Sequence, residues 1–321
     1  MIEDYRRASK LGKREVADAV SKGRHPYPPS LEELIGDAGG REVPVGVLEI
    51  PLALVVGTRM RSRQNMFSPG FLPIADDDTE FASKWSDLYD AQMAEGIREP
   101  VQVYEYLQRF YVQEGNKRVS VLRYLGVPTI VARITRVMPT AADEETRRRY
   151  GEFLRLFRVA PVYGLFFSRE GAVGRLAELA GKNLDEPWPD QDVRDLRATY
   201  LQFASAFHGH GGDALGITAA DAFLVYAETY AESSPLCVTQ RQMDERVGRI
   251  WDEIVVRLRR DSIAYIEDPA ERKGGIVPSI KGLSRSLLPP RLTRLAFIYD
   301  RNPDRSGWTG LHEQGRRDLQ R

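Results

Sequence analysis

The sequence predicts an α+β fold: N-terminal helices, a mixed strand-and-helix module, an all-α helical domain and a short, truncated α/β tail. Three observations predict it. Residues 42–50 and 101–114 are rich in β-branched and aromatic side chains and read as extended segments, whereas 116–125 turns to helical spacing, with Val119, Leu122 and Leu125 apolar at i, i+3 and i+6. From 143 to 260 the long segments all have helical length and period. Beyond 260, Pro269, Gly274, Gly275, Pro278, Pro289 and Pro290 interrupt the pattern before a buried-type strand at 295–299.

Taken in order, residues 3–22 predict an amphipathic helix with Tyr5, Ala8, Leu11, Val16, Ala17 and Val20 on its apolar side, stopped by His25-Pro-Tyr-Pro-Pro29. Ser30 caps a short second helix to Ile35, and residues 37–40 turn into the first strand. A helix at about 79–95 follows the Arg-rich segment 58–71, and the strand pair, a helix and a last strand at 127–134 complete the module. The helical domain has segments at 143–158, 171–180, 190–207, 218–232 and 239–260, with Thr218 and Thr239 as N-caps. Its aromatic side chains Phe203, Phe207, Phe223, Tyr226 and Tyr230 read as core. The expected boundaries are therefore 1–43 for the N-terminal helices, 44–138 for the mixed module, 139–260 for the helical domain, 261–294 for a linker and 295–321 for the tail.

The 46 basic and 46 acidic residues of the 321 cancel, so no global field draws the chain to nucleic acid or an anionic membrane. The single cysteine, Cys237, excludes an intramolecular disulfide, and His208-Gly-His210 with Asp213 is too sparse for a metal centre, so no metal is expected. The N-terminus lacks an apolar leader region and no run approaches the roughly 18 apolar residues of a membrane span. A cytoplasmic protein without membrane insertion is expected.

The segment most suited to chemistry is Glu114-Gly115-Asn116-Lys117-Arg118, where a strand ends and a helix begins. Free backbone N–H groups, the positive end of the helix dipole and two cationic side chains suit an anion such as phosphate. A structural alternative is an ordinary Glu114–Arg118 ion pair, with Gly115 present because the turn is tight. The loop carrying Arg59, Arg61 and Arg63 is the second candidate: three guanidiniums beside Lys117 and Arg118 would clamp a phosphate or an acidic ligand.

The segment Val45-Gly-Val-Leu-Glu-Ile-Pro-Leu-Ala-Leu-Val-Val-Gly-Thr58, similar to the family's opening strand and its I-P-L-x-x-I element, the Glu-Gly-x-x-Arg turn and the strand that follows resemble the ParB/sulfiredoxin-like fold over roughly residues 44–138. The resemblance implies that Gly115, Asn116, Lys117 and Arg118 face a nucleotide phosphate and that the loop with Arg59, Arg61 and Arg63 approaches it. Sulfiredoxins carry a Cys and a His in this turn, and the related free-serine kinases a His; here Asn116 and Lys117 stand there, and neither supplies a thiol nucleophile or an imidazole base. In the tail, the strand at 295–299, Ser306-Gly-Trp308 and His312-Glu-Gln-Gly315 resemble the opening of the basic-membrane-protein (BMP) family of ABC-transporter substrate-binding proteins. That resemblance covers about 30 residues, so the tail is read as truncated and without solute-binding activity of its own.

These readings combine into a non-catalytic sensory or regulatory protein of BMP type. Its ParB/sulfiredoxin-like module binds a nucleotide or another phosphorylated small molecule, and its helical domain relays the state to a protein partner. The enzymatic alternative is an ATP-dependent phosphotransferase or nucleotide hydrolase with Glu114 as catalytic base and a magnesium nucleotide as cofactor. ParB-like DNA binding ranks last, because the net charge is zero and the 218–230 helix is acidic and aromatic.

Overall fold

In the computed structural model, residues 2–36, 40–140, 142–230 and 238–259 are described. The linker and tail at 261–321 lie outside the described residues, and with them the BMP-like strand and Cys237. The first helix, α1 (Ile2–Ser21), buries Tyr5, Ala8, Ser9, Gly12 and Ala19. This differs from the expected stripe, since Leu11 and Val20 are 43% and 60% exposed. Gly12 explains the rotation: a β-carbon there would lie 2.4 Å from the Pro73 carbonyl oxygen, so the helix turns its small side to the 72–77 segment. Tyr5 and Ser9 donate to the Ala75 carbonyl at 2.9 and 3.2 Å. The short α2 (Leu31–Ile35) begins as expected at Ser30, whose hydroxyl accepts from the Glu33 N–H.

Five strands, β1 (Glu42–Pro51), β2 (Val55–Thr58), β3 (Val101–Tyr106), β4 (Arg109–Glu114) and β5 (Thr129–Val137), form one mixed sheet in the order β1-β5-β3-β4-β2. The first strand, expected at 42–50, runs to Pro51, and a 3-10 turn at Leu52–Leu54 separates it from β2, so the Arg-rich loop leaves the second strand rather than the first. β3 and β4 form a hairpin whose tip residues Leu107 and Gln108 both have positive φ, 50° and 62°, with no glycine to announce the turn. The Gln108 N–H donates to the buried Glu105 carboxylate at 2.6 Å, which supports this otherwise disfavoured backbone.

One sheet face, with Val103, Phe110, Val112, Ala132 and Ile134, packs with Val119 and Leu122 of α4 (Asn116–Tyr124). Behind α4 stands α3 (Glu80–Ala94), where Trp85 is fully buried, meets Tyr5 edge-on at 5.5 Å and donates from Nε1 to the Ser120 hydroxyl at 3.0 Å. On the other face, Tyr111 and Val137 are covered by Leu31, and Tyr104 and Tyr106 are partly buried beside them.

Among the described residues after β5 there are helices and no strand: α5 (Glu144–Val159), α6 (Ala172–Leu179), α7 (Asp190–Gly209), α8 (Ala219–Tyr230) and α9 (Gln240–Arg259). Asp143 caps α5 and Thr218 accepts from the Asp221 N–H at 3.0 Å at the start of α8. Phe203, Phe207, Phe223 and Tyr226 are buried in the helical core, and Tyr230 packs against it. Packing crosses the boundary expected at 139. Tyr150 and Phe153 of α5 belong to the sheet core, whereas Leu156 and Val159 of the same helix belong to the helical core. The extended segment after α5 alternates likewise, with Tyr163 directed to the sheet core and Val162 and Leu165 to the helices.

A buried polar cluster lies at this joint. Glu105 on β3 is fully buried and pairs with Arg136 Nε on β5. Tyr150 of α5 donates to both Glu105 oxygens at 2.9 and 2.8 Å, and Arg136 Nη2 donates to the Tyr163 hydroxyl at 3.1 Å. The Arg136 guanidinium also lies 4.6 Å from the Phe157 ring centre. Burial, followed by the Glu105 charge, raises the Tyr150 phenol far above its ordinary range, so it remains a donor.

Candidate anion-binding turn

β2 and β4 are parallel neighbours, so the Arg-rich loop and the turn into α4 leave the sheet at the same end. Ligands of open α/β sheets sit outside the carboxyl ends of parallel strands. Gly115 is the N-cap of α4 at φ 97° and ψ 20°, and no side chain caps the helix. A β-carbon at Gly115 would meet Val101 Cγ1 at 2.5 Å, so both conformation and space require glycine. The first N–H groups of α4 are therefore left without a side-chain cap, as the sequence suggested.

The charged residues divide into two sets. Lys117 Nζ lies 5.0 Å from the Phe81 ring centre, and its pKa is pushed below the ordinary lysine value by burial first, then by Lys84. Glu80 opposes the shift and Arg63 adds to it. Lys84 is itself paired with Glu80 at 2.6 Å. Lys117, Lys84 and Arg63 thus form a cationic group at the start of α4 with a single neighbouring carboxylate among these interactions. Asn116 Oδ1 is enclosed and has no hydrogen-bond partner among the described residues.

The other residues expected here are engaged elsewhere. Arg118 Nη1 donates to the Glu99 and Pro100 carbonyls at 2.9 and 3.3 Å and approaches the Glu99 carboxylate at 3.4 Å. The Glu114–Arg118 pair considered from the sequence is therefore replaced by Arg118 with the segment leading into β3. Glu114 accepts instead from Gln102 Nε2 at 2.5 Å, across the β3–β4 register. Arg59 lies over Tyr104 at 4.9 Å, on the sheet face opposite α4. Arg61 is drawn towards α2, with Nε 3.1 Å from Glu33 Oε1 and its N–H donating to Glu32 Oε2 at 3.2 Å. Of the expected clamp of three guanidiniums, Arg59 and Arg61 are thus engaged elsewhere, and Arg63 alone acts electrostatically on Lys117.

Lys84 and Arg123 were missed from the sequence. Lys84 lies on α3, more than 30 positions from the turn, and only the packing of α3 on α4 brings it there. Arg123 donates from Nη2 to the Val55 carbonyl at 2.8 Å and ties α4 to β2. His208 and His210 do not converge: His208 Nδ1 is 2.7 Å from Asp213, and His210 Nε2 is 3.3 Å from the Asp244 carbonyl.

These contacts give Arg118 a structural role with a measurable consequence. Arg118→Ala removes two hydrogen bonds to carbonyls beside Val101 and is expected to cost about 1–3 kcal/mol of stability. Urea denaturation of the ligand-free protein measures it, and an unchanged midpoint would return Arg118 to the binding set.

Among solved structures, sulfiredoxin from Arabidopsis thaliana is similar to part of this chain, with 26% sequence identity over 27% of this chain and 82% of sulfiredoxin, at a TM-score of 0.21. No family model and no curated protein matches the chain. Among the described residues no helix is long and apolar enough to cross a membrane.

Proposed function

We propose that this protein is a non-catalytic regulatory module that binds the phosphate of a nucleotide or another phosphorylated small molecule at the start of α4. The observation that carries the reading is the uncapped N-terminus of α4 behind the left-handed Gly115, with the partly buried Lys117 in its first turn beside Phe81; burial and the neighbouring Lys84 lower the Lys117 pKa in keeping with it. An anion there would meet free N–H groups and relieve the repulsion among the cations. The binding set becomes Gly115, Asn116, Lys117, Lys84 and Arg63. Glu114 has a neutral amide as its partner, and this reading assigns it no proton transfer. The helices α5–α9 relay occupancy to a protein partner through α5, whose two faces pack in the sheet core and in the helical core. A BMP-type solute-binding domain attached downstream would add a second, separate input.

A thermal-shift series with inorganic phosphate, pyrophosphate, ADP and ATP tests this reading. At least one should raise the melting temperature, and Lys117→Ala should weaken its binding roughly tenfold, about 1.4 kcal/mol. Phosphate monoesters gain their second charge above pH of about 6, which favours binding. Binding should then decline as pH rises through the lowered pKa of Lys117, because the cationic form is the one that holds the anion. The bound anion raises that pKa, so alkaline titrations should show proton uptake. No shift with any of the four anions, or equal affinity in Lys117→Ala, overturns the proposal. Release of ADP or phosphate from magnesium ATP would instead support the enzymatic alternative.

A further inference from the structure

The helical part of the molecule carries a cleft unrelated to the α4 turn. Its volume is ≈ 340 Å³, and stripes from α6, α7 and α8 line it. That size falls in the range of small-molecule sites. The floor is apolar and deep: Leu176 and Phe223 are 2% and 0% exposed, and Trp188 joins the lining with its indole N–H donated to the Asn183 carbonyl at 2.8 Å. Thr199 on α7 is 3% exposed and is the one buried polar side chain in the lining. Ala180, the C-cap of α6, contributes only a methyl group to the lining.

The rim is charged. Asp192 and Asp195 stand one turn apart on α7, and Lys182 enters from the connection after α6. Lys182 is neutralised by Asp192 at 2.5 Å. Asp195 accepts from the neutral Gln191 amide at 2.8 Å, and no cation pairs with it among the described residues. The rim therefore presents one uncompensated carboxylate above an apolar and aromatic floor. Such an arrangement suits a cation on a hydrophobic body and disfavours an anion of the same shape.

We infer that this cleft binds a small aromatic or branched aliphatic primary amine, with the apolar body against Phe223, Leu176 and Trp188 and the ammonium at Asp195. Calorimetric titration of the full chain with 2-phenylethylamine, 2-phenylethanol and phenylacetate tests it, since the three probes differ chiefly in the polar group. The amine should bind about fivefold tighter than the alcohol, as expected for a partly exposed ion pair, with phenylacetate weakest. Asp195→Asn, at an exposed position, should remove the preference while leaving the binding of the alcohol unchanged. Ala180→Leu should weaken all three by taking up volume in the cleft. Equal affinities, a preference for phenylacetate, absence of binding, or a preference that survives in Asp195→Asn would overturn the inference.

Discussion

Replacing Glu105 by Ala should destabilise the protein by about 3–5 kcal/mol, because it leaves the Arg136 guanidinium buried without its counter-charge. The two side chains are 0% and 10% exposed, so water cannot replace the lost partner. The same substitution also strips the Tyr150 hydroxyl and the Gln108 N–H of their acceptor. Both then become unsatisfied donors in the joint between sheet and helices, and each costs further. Urea denaturation should show a lower midpoint with an unchanged slope, since the native fold and the surface it buries stay the same. A loss below about 1 kcal/mol would mean that the cluster is relaxed or wet. The double variant Glu105→Leu with Arg136→Met separates the ion pair from the other bonds: the part of the loss due to the unpaired guanidinium should return, while that due to the Tyr150 and Gln108 donors should remain. If nothing returns, the cluster's worth lies in holding α5 and Tyr163 on the sheet through hydrogen bonds.

Gly115→Ala is the second large effect expected, and it acts on both stability and the candidate site. Left-handed backbone costs an L-residue about 1–2 kcal/mol. The added methyl would also stand 2.5 Å from Val101 Cγ1 and 3.1 Å from its Cβ, and overpacking of this kind costs about 1–3 kcal/mol. Val101 is fully buried at the start of β3, so it cannot swing away into solvent. A shift of α4 away from β3 would relieve the clash and move the first N–H groups of the helix. The stability loss should therefore be accompanied by weaker phosphate binding. Val101→Ala in the same chain should recover part of the packing cost but none of the backbone cost, and a double-mutant cycle with thermal or urea unfolding reads the difference. Full additivity of the two substitutions would show that the clash is avoided by local relaxation.

The turn into α4 was readable from sequence because each of its requirements is local. Gly115 supplies the left-handed residue, the strand before it ends at Glu114, and Val119 and Leu122 mark the buried side of the helix after it. The caps at Ser30 and Thr218 were readable for the same reason, since a cap is decided within three residues of chain. The stripe on α1 was misplaced because periodicity locates an apolar face only to within a residue or two. A backbone approach at Gly12 settled which side turns inward. The hairpin at Leu107–Gln108 gave no signal, because a carboxylate three residues earlier holds it in place of a glycine.

By itself, the sequence determined the alternation of strand and helix through residue 138, the helical character of the described chain after it, and the uncapped start of α4, all of which follow from side-chain period and short-range backbone chemistry. Tertiary structure alone decided where the charges go. Arg59, Arg61 and Arg63 are alternate residues of one short loop, yet they diverge to Tyr104, to Glu33 and towards Lys117. Lys84 comes to the same turn from a helix whose placement depends on Trp85 and Ser120. The pairing of Glu105 with Arg136 joins two strands 31 residues apart, and their polar groups met only because strand register and burial left each the other as partner. Long charged side chains have many partners within reach in sequence, and desolvation and packing in three dimensions select among them.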